Sequence, residues 1–464
     1  MNAVNPTTGV LLREYPEHDD AEVQRRLALA VRAFESWRRI GFVERAQRLR
    51  EAAIVLRRDR ATLARLMTEE MGKPIAQAES EVEKCAIACE HFADHGAADL
   101  APQEIATDAS RSLVRFDPIG PLLAVMPWNF PLWQVFRAAV PALMAGNVVL
   151  LKHASNVPGC ALAAERVFAE AGFPAGCFST LLIDAKRAEA LVDHEAIQAL
   201  TLTGSEAAGA ALAARAGAAL KKCVLELGGS DPYIVLADAD LDAAAKVGAR
   251  ARNQNNGQSC IAAKRFIAVE SVARDFEQRF AAEVEALRVG DPLDPQTQIG
   301  PLARADLRET LERQVSESVR MGARVLTGGE RGVGKGWYYQ PTVLADVTED
   351  MPVFKEETFG PVAAVLRVRD ADDAVRVAND SAYGLGASIW TRDLKVGEAL
   401  ARRVESGSVF VNGMVASDPR LPFGGIKRSG YGRELSSYGI KEFVNVQTIW
   451  IGAGTQKPTG PASE

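Results

Sequence analysis

Positive charge is not in excess in this chain. There are 54 Lys and Arg residues against 60 Asp and Glu, a formal net charge of −6. A nucleic-acid partner needs a basic face, and the interspersed signs offer none. Long apolar runs are missing too. No stretch approaches the roughly 20 apolar residues that a membrane-spanning helix needs, so no membrane association is expected. The opening MNAVNPTTGVLLREYPEHDD has no basic start followed by an apolar stretch, which argues against a secretory signal. Cysteine is sparse and scattered, at Cys85, Cys89, Cys160, Cys177, Cys223 and Cys260. That pattern fits free thiols in a reducing compartment rather than a disulfide framework, so a cytoplasmic enzyme is expected. Histidine is scarcer still. His18, His91, His95, His153 and His194 are the full set, and none sits in a recognisable Cys/His hydrolase context.

The chain does have length and apolar content. Its 464 residues, 47% of them hydrophobic, suit two or three domains. Residues 20–100 carry helical periodicity, broken at Gly72-Lys73-Pro74. From 122 to 229 apolar strands alternate with helices, the pattern of a parallel sheet covered on both faces. A second α/β region follows from about 230 to 440. The tail GAGTQKPTGPASE is small and polar, and is expected to be disordered.

Two clusters look functional but lack the required spacing. Cys85 and Cys89 share one helix face, whereas His91 and His95 lie roughly opposite. The four cannot converge on one metal ion without a partner segment, and no metal is expected. Gly329, Gly334 and Lys335 imitate a phosphate-binding loop. Gly336 stands where a Ser or Thr should follow, and the flank WYYQPTVL reads as a strand rather than a helix.

Three other stretches carry more. In LTLTGSEAAG a strand ends at Thr203, and Gly204-Ser205 opens a helix whose free N–H groups attract phosphate. An ordinary helix cap explains the same residues. In LELGGSDPYIV, Glu226 sits at an apolar strand end. Burial there would raise its pKa and suit a general base, although a salt-bridged structural Glu has the same pattern. In NQNNGQSCIAAKRF the crowd of carboxamides before Cys260 argues against an ordinary core cysteine. A nucleophilic Cys260 needs a group that accepts its proton, and Glu226 is the better candidate in a chain so poor in histidine.

Together these stretches resemble the aldehyde dehydrogenase superfamily. The resemblance runs from NPTTG at 5 to KEFVNVQT near 448. It is carried by MPWNFP (126–131), LTGS (202–205), LELGG (225–229), NGQSC (256–260), EETFGPV (356–362) and PFGGIKRSGYGRE (422–434). It implies an α/β fold with two doubly wound parallel domains and a small β oligomerisation element. The cofactor-binding domain would span 1–227, interrupted by a bridging hairpin near 108–124. The catalytic domain would span 228–438, and an oligomerisation strand and tail 439–464. It also implies roles. Cys260 attacks the aldehyde, Asn129 and the Cys260 backbone N–H hold the oxyanion, and Glu226 activates water to hydrolyse the thioester. Trp128, Lys152, Ser155, Gly204, Ser205, Glu357 and Phe359 would bind the cofactor. Homodimers or tetramers are implied.

Within the superfamily the chain resembles the short bacterial succinate-semialdehyde dehydrogenases, which makes a small carboxylated aldehyde the expected substrate. A broad aliphatic or aromatic aldehyde dehydrogenase is the alternative. Arg137, helped by Ser417, is the expected carboxylate receptor, since a guanidinium grips a carboxylate bidentately. Ile261-Ala262 follows Cys260, so no C-x-C redox lock is present. Members that prefer NAD typically place a Glu three residues after the ribose-binding Lys. Here Ser155 takes that place, which predicts NADP as the preferred cofactor, with NAD tolerated.

Overall fold

A computed structural model describes residues 1–452. The polar tail falls almost entirely outside these residues. Two open sheets dominate. The first has six strands, in the order Gly430–Tyr431, Lys222–Glu226, Ala199–Thr203, Pro121–Met126, Val148–His153 and Phe178–Thr180. All its pairings are parallel except that of Gly430–Tyr431. The second has seven strands, in the order Arg324–Thr327, Thr342–Ala345, Val362–Val368, Ala263–Val269, Asp231–Val235, Gly386–Trp390 and Ser408–Val411. It too is parallel except at its first strand. Central strands such as Ala199–Thr203 and Ala263–Val269 are buried at every residue, as expected of strands covered on both faces.

The parallel α/β expectation therefore describes both halves, with three local differences. The helical stretch after residue 42 is two helices, Phe42–Arg58 and Arg60–Met71, because Asp59 leaves the helical region at φ −97°, ψ 11°. The projecting β element pairs Gln103–Glu104, Arg111–Pro118 and Val444–Ile451 antiparallel. It ends before Pro121–Met126, which is a central strand of the first sheet, so the hairpin lies earlier than 108–124. Gly430-Tyr431 returns from the second half to pair with Glu226 and Leu225, so the chain crosses the boundary drawn at 228.

The helix Trp133–Ala145 is buried at all 13 positions, so no solvent face can cap it. Its first N–H groups are met from another element: Glu81 Oε1 accepts from Leu132 and Trp133, each at 2.9 Å. Glu81 is itself ion-paired with buried Lys73. The helix Ile75–Asp99 thus fixes where the residues after Pro131 begin.

Candidate active site

The carboxyl ends of the first sheet face the amino ends of the second. Trp128 and Asn129 follow the strand Pro121–Met126, Gly204 follows Ala199–Thr203, and Gly228-Gly229 follow Lys222–Glu226. From the other side come Cys260, just before Ala263–Val269, and Glu357 and Phe359, just before Val362–Val368. Ligands in parallel α/β folds collect at such strand ends.

Four of the five carboxamides before Cys260 are buried, and Gln254 is half-buried. Asn255, Asn256 and Gly257 are all left-handed, with φ of 58°, 57° and 71°. Asn tolerates this region better than most residues, and at Gly257 a Cβ would lie 2.4 Å from the Gly360 carbonyl carbon. A buried left-handed turn strands main-chain groups that only side chains can satisfy. Asn256 Nδ2 donates to the Gly72 and Pro301 carbonyls at 2.8 and 2.9 Å, and its Oδ1 accepts from Gly300 at 2.7 Å. Gln258 Oε1 accepts from Ala303 at 2.9 Å. Asn255 Nδ2 donates to the Asn129 carbonyl at 2.7 Å, and Asn129 Nδ2 donates to the Gln258 carbonyl at 3.0 Å. The side chain expected at the oxyanion is thus tied to the cysteine loop itself. Polarity here marks a locked interior turn rather than a surface loop.

Cys260 is partly exposed while the other five cysteines are buried, and all six are free thiols. Its neighbours hold it closely. Lys264, fully buried, donates to the Cys260 carbonyl at 2.8 Å and to the Ser259 carbonyl at 3.0 Å. A Cβ on Gly229 would lie 2.6 Å from that same Cys260 oxygen. Burial pushes the thiol up to about 12, with Glu357 and Glu226 adding to the shift and Arg137 and Lys264 opposing it. The resting thiol is therefore neutral, and attack requires that its proton be taken.

Two cavities meet at Cys260. On one side a space of about 230 Å³ is lined by Trp128, Asn129, Gly204, Ser205, Glu357 and Phe359. Trp128 and Phe359 meet edge to face at 5.7 Å. Ser205 caps the helix Glu206–Ala218, and Glu357 accepts from the Gly229 amide at 3.1 Å and pairs with Lys264 at 3.3 Å. Lys152 is the last residue but one of the strand Val148–His153, with no carboxylate ion-paired to it among the described residues, and Ser155 is exposed just beyond. These two lie outside the walls of this cavity. His153 is not a further cation. Its Nδ1 accepts from the Ala154 amide at 2.9 Å, its Nε2–H donates to the Pro131 carbonyl at 2.8 Å, and burial lowers its pKa to about 4. This set fits a dinucleotide: an aromatic slot beside the thiol, a carboxylate for a ribose, a helix start for phosphate and, further out, a lysine whose nearest acting carboxylate, Asp184, forms no ion pair with it.

On the other side lies a narrower space of about 70 Å³, walled by Phe130, Trp133, Arg137, Ile261, Ser417 and Phe423 among others. Arg137 is there, but its charge is committed. It is buried, ion-paired with Glu434, donates to Thr203 Oγ1 at 3.2 Å, and lies over the Phe423 ring at 4.6 Å. The expected carboxylate receptor thus already has a carboxylate partner in Glu434. Glu226 is buried without a hydrogen-bond partner. Burial raises its pKa well above the usual range, Glu434 adds to the rise, and Arg137 and Arg433 oppose it. It lines neither cavity. Of the unsuccessful motifs, Cys85 and Cys89 are buried and His91 stacks on His95 at 4.5 Å.

Residues 1–449 match the model of the aldehyde dehydrogenase family, and the chain belongs to that family. A Synechocystis protein named as a probable NADP(+) succinate-semialdehyde dehydrogenase is 53% identical over 448 residues, covering 97% of this chain and 99% of its own. The succinate semialdehyde dehydrogenase Sad of Escherichia coli, named for NAD(P)+, is 49% identical, covering 97% of each chain. The solved structure of a Streptococcus pyogenes succinic semialdehyde dehydrogenase with NADP+ superposes with a TM-score of 0.95 at 37% identity, over 97% of this chain and all of that one.

Proposed function

We propose that this enzyme oxidises succinate semialdehyde, or a similar small carboxylated aldehyde, to the acid, with NADP preferred and NAD tolerated. The observation that carries this reading is the position of Cys260 in the wall shared by the two cavities. One cavity has a nucleotide-binding character and the other is narrow with polar groups at its end. The names of the relatives support the substrate and the cofactor. A nicotinamide cofactor, when bound, accepts hydride from the carbon held on the thiol. The remaining chemistry belongs to this chain. Glu226 takes a proton, Cys260 Sγ bonds to the aldehyde carbon, and the Asn129 amide with the Cys260 N–H receives the oxyanion. Glu226 gives that proton to solvent and then draws one from water; the hydroxide adds to the acyl carbon, the acyl–sulfur bond breaks, and Glu226 returns its proton to the Cys260 thiolate. Lys152 and Ser155 favour a phosphate on the adenosine ribose, since neither repels it.

The apolar walls Phe130, Trp133, Ile261 and Phe423 favour a second reading, a broad aldehyde dehydrogenase. Steady-state rates on succinate semialdehyde, butanal and benzaldehyde, with each cofactor, separate the two. A carboxylated substrate preferred by less than about tenfold would support the broad enzyme. Turnover without either cofactor would mark a thiol hydrolase instead. The strand Val444–Ile451 exposes Val446, Trp450 and Ile451, which suits a homo-oligomer. No helix among the described residues is long and apolar enough to cross a membrane, and six free thiols suit the cytoplasm.

A further inference from the structure

We infer that Lys84, on the helix Ile75–Asp99, supplies the positive charge that holds the distal carboxylate of the substrate. This rests on the reading of a carboxylated aldehyde. Lys84 Nζ donates to Ser417 Oγ at 2.7 Å and lies 4.3 Å from the centre of the Trp133 ring. Both partners line the narrow cavity that reaches Cys260, and so does Lys84. No carboxylate among the described residues forms an ion pair with Lys84, whereas Arg137 in the same wall is ion-paired with Glu434. A partly desolvated ammonium with one hydroxyl partner has donors to spare, and a carboxylate is the ligand that satisfies them.

The position also explains access. A larger cavity of about 470 Å³ opens on the far side of Lys84 and shares Lys84, Phe130 and Gln254 with the narrow one. Lys246 and Arg250 line that outer space, are exposed, and form no ion pair among the described residues. Glu283 lines the same space, so the two cations outnumber one exposed carboxylate at the entrance, and Lys84 stands at the constriction. The carboxylate of an entering aldehyde would stop there while the aldehyde end points on toward Cys260. Ser417 would orient the same carboxylate through the hydroxyl it already turns to Lys84.

The charge on Lys84 is itself titratable. Burial, and then Arg137, lower its pKa to about 8. The groups that face it are Glu81 and Cys85 on its own helix, Arg137 on Trp133–Ala145, and Asp418 in the loop after Ser417. Glu81 is held by Lys73 and Asp418 by Arg420. The ammonium is present below this pKa and lost as pH rises through it.

The test compares succinate semialdehyde with butanal on the wild type, Lys84→Met and Lys84→Arg, always with saturating NADP. Lys84→Met should raise KM for succinate semialdehyde on the order of 10- to 100-fold and leave kcat/KM for butanal within about threefold. Lys84→Arg should restore part of the loss. Wild-type KM for the charged substrate should climb above about pH 8, with no matching rise for butanal, and this needs no variant to fold. If the wild type prefers the carboxylated aldehyde but Lys84→Met keeps that preference, or if the pH profiles of the two substrates coincide, the inference about Lys84 fails alone. If the wild type does not distinguish the substrates, the carboxylated-aldehyde reading falls and this inference falls with it.

Discussion

Glu226 and Glu434 are buried carboxyls that share Arg137 as a counter-charge: the guanidinium is ion-paired with Glu434, and it opposes the upward shift that Glu434 imposes on Glu226. Two buried carboxylates beside one ion-paired guanidinium do not both ionise easily. A raised pKa means that Glu226 is protonated at low pH and becomes a base only as pH rises through its shifted value. Glu434→Gln removes the like charge, so the rising limb of kcat against pH should move to lower pH. An unmoved limb would show that Glu226 does not sense Glu434. Arg137→Gln removes the counter-charge and should depress kcat for charged and uncharged aldehydes together. A loss confined to succinate semialdehyde would restore Arg137 as the carboxylate receptor.

The neutral resting thiol has a chemical signature. Alkylation of the cofactor-free enzyme by iodoacetamide should be slow at pH 7, with Cys260 labelling that accelerates as pH rises past the free-thiol value of about 8.5. Peptide mass spectrometry across a pH series follows it. A labelling rate already at its plateau near neutral pH would mean that Cys260 rests as a thiolate.

The carboxamide lock should be costly to break. Asn256→Ala strands the Gly72 and Pro301 carbonyls and the Gly300 N–H, all in the interior. Each orphaned group costs about 1–3 kcal/mol, so a loss of about 3 kcal/mol or more is expected from urea unfolding. A cost below about 1 kcal/mol would show that water replaces the side chain.

Cofactor choice should turn on Ser155. A carboxylate there would face the ribose phosphate beside Lys152, and a like-charge contact costs on the order of 1–4 kcal/mol. Ser155→Glu should depress kcat/KM for NADP about tenfold or more relative to NAD. An unchanged ratio, or a wild type that favours NAD, would exonerate this position.

Much of this site can be read from short stretches. Cys260 and Glu226 stand out locally, because a polar crowd before a lone cysteine and a carboxylate at an apolar strand end are each anomalous by themselves. Lys84 shows no such anomaly. It sits in an Ala- and Glu-rich helix where a lysine is ordinary, and its partner Ser417 is 333 positions away. Glu434 is visible within PFGGIKRSGYGRE, but nothing in that motif tells that Arg137 is its partner. The strand return at Gly430-Tyr431 escapes for a related reason, since two residues carry no period. The helix break at Asp59 follows from backbone angles that an unbroken apolar pattern conceals.

The most direct measurement follows a single turnover of Glu226→Gln with saturating NADP and succinate semialdehyde, quenched in acid and analysed by peptide mass spectrometry. One equivalent of NADPH per active site should form, slowly at neutral pH because Glu226 no longer takes the Cys260 proton and faster as pH rises, further turnover should stall, and a succinyl thioester should be found on Cys260. Reduced cofactor without an acyl group on Cys260, or an adduct on another residue, would contradict the assignment of Cys260 as nucleophile and Glu226 as the base that releases its acyl group.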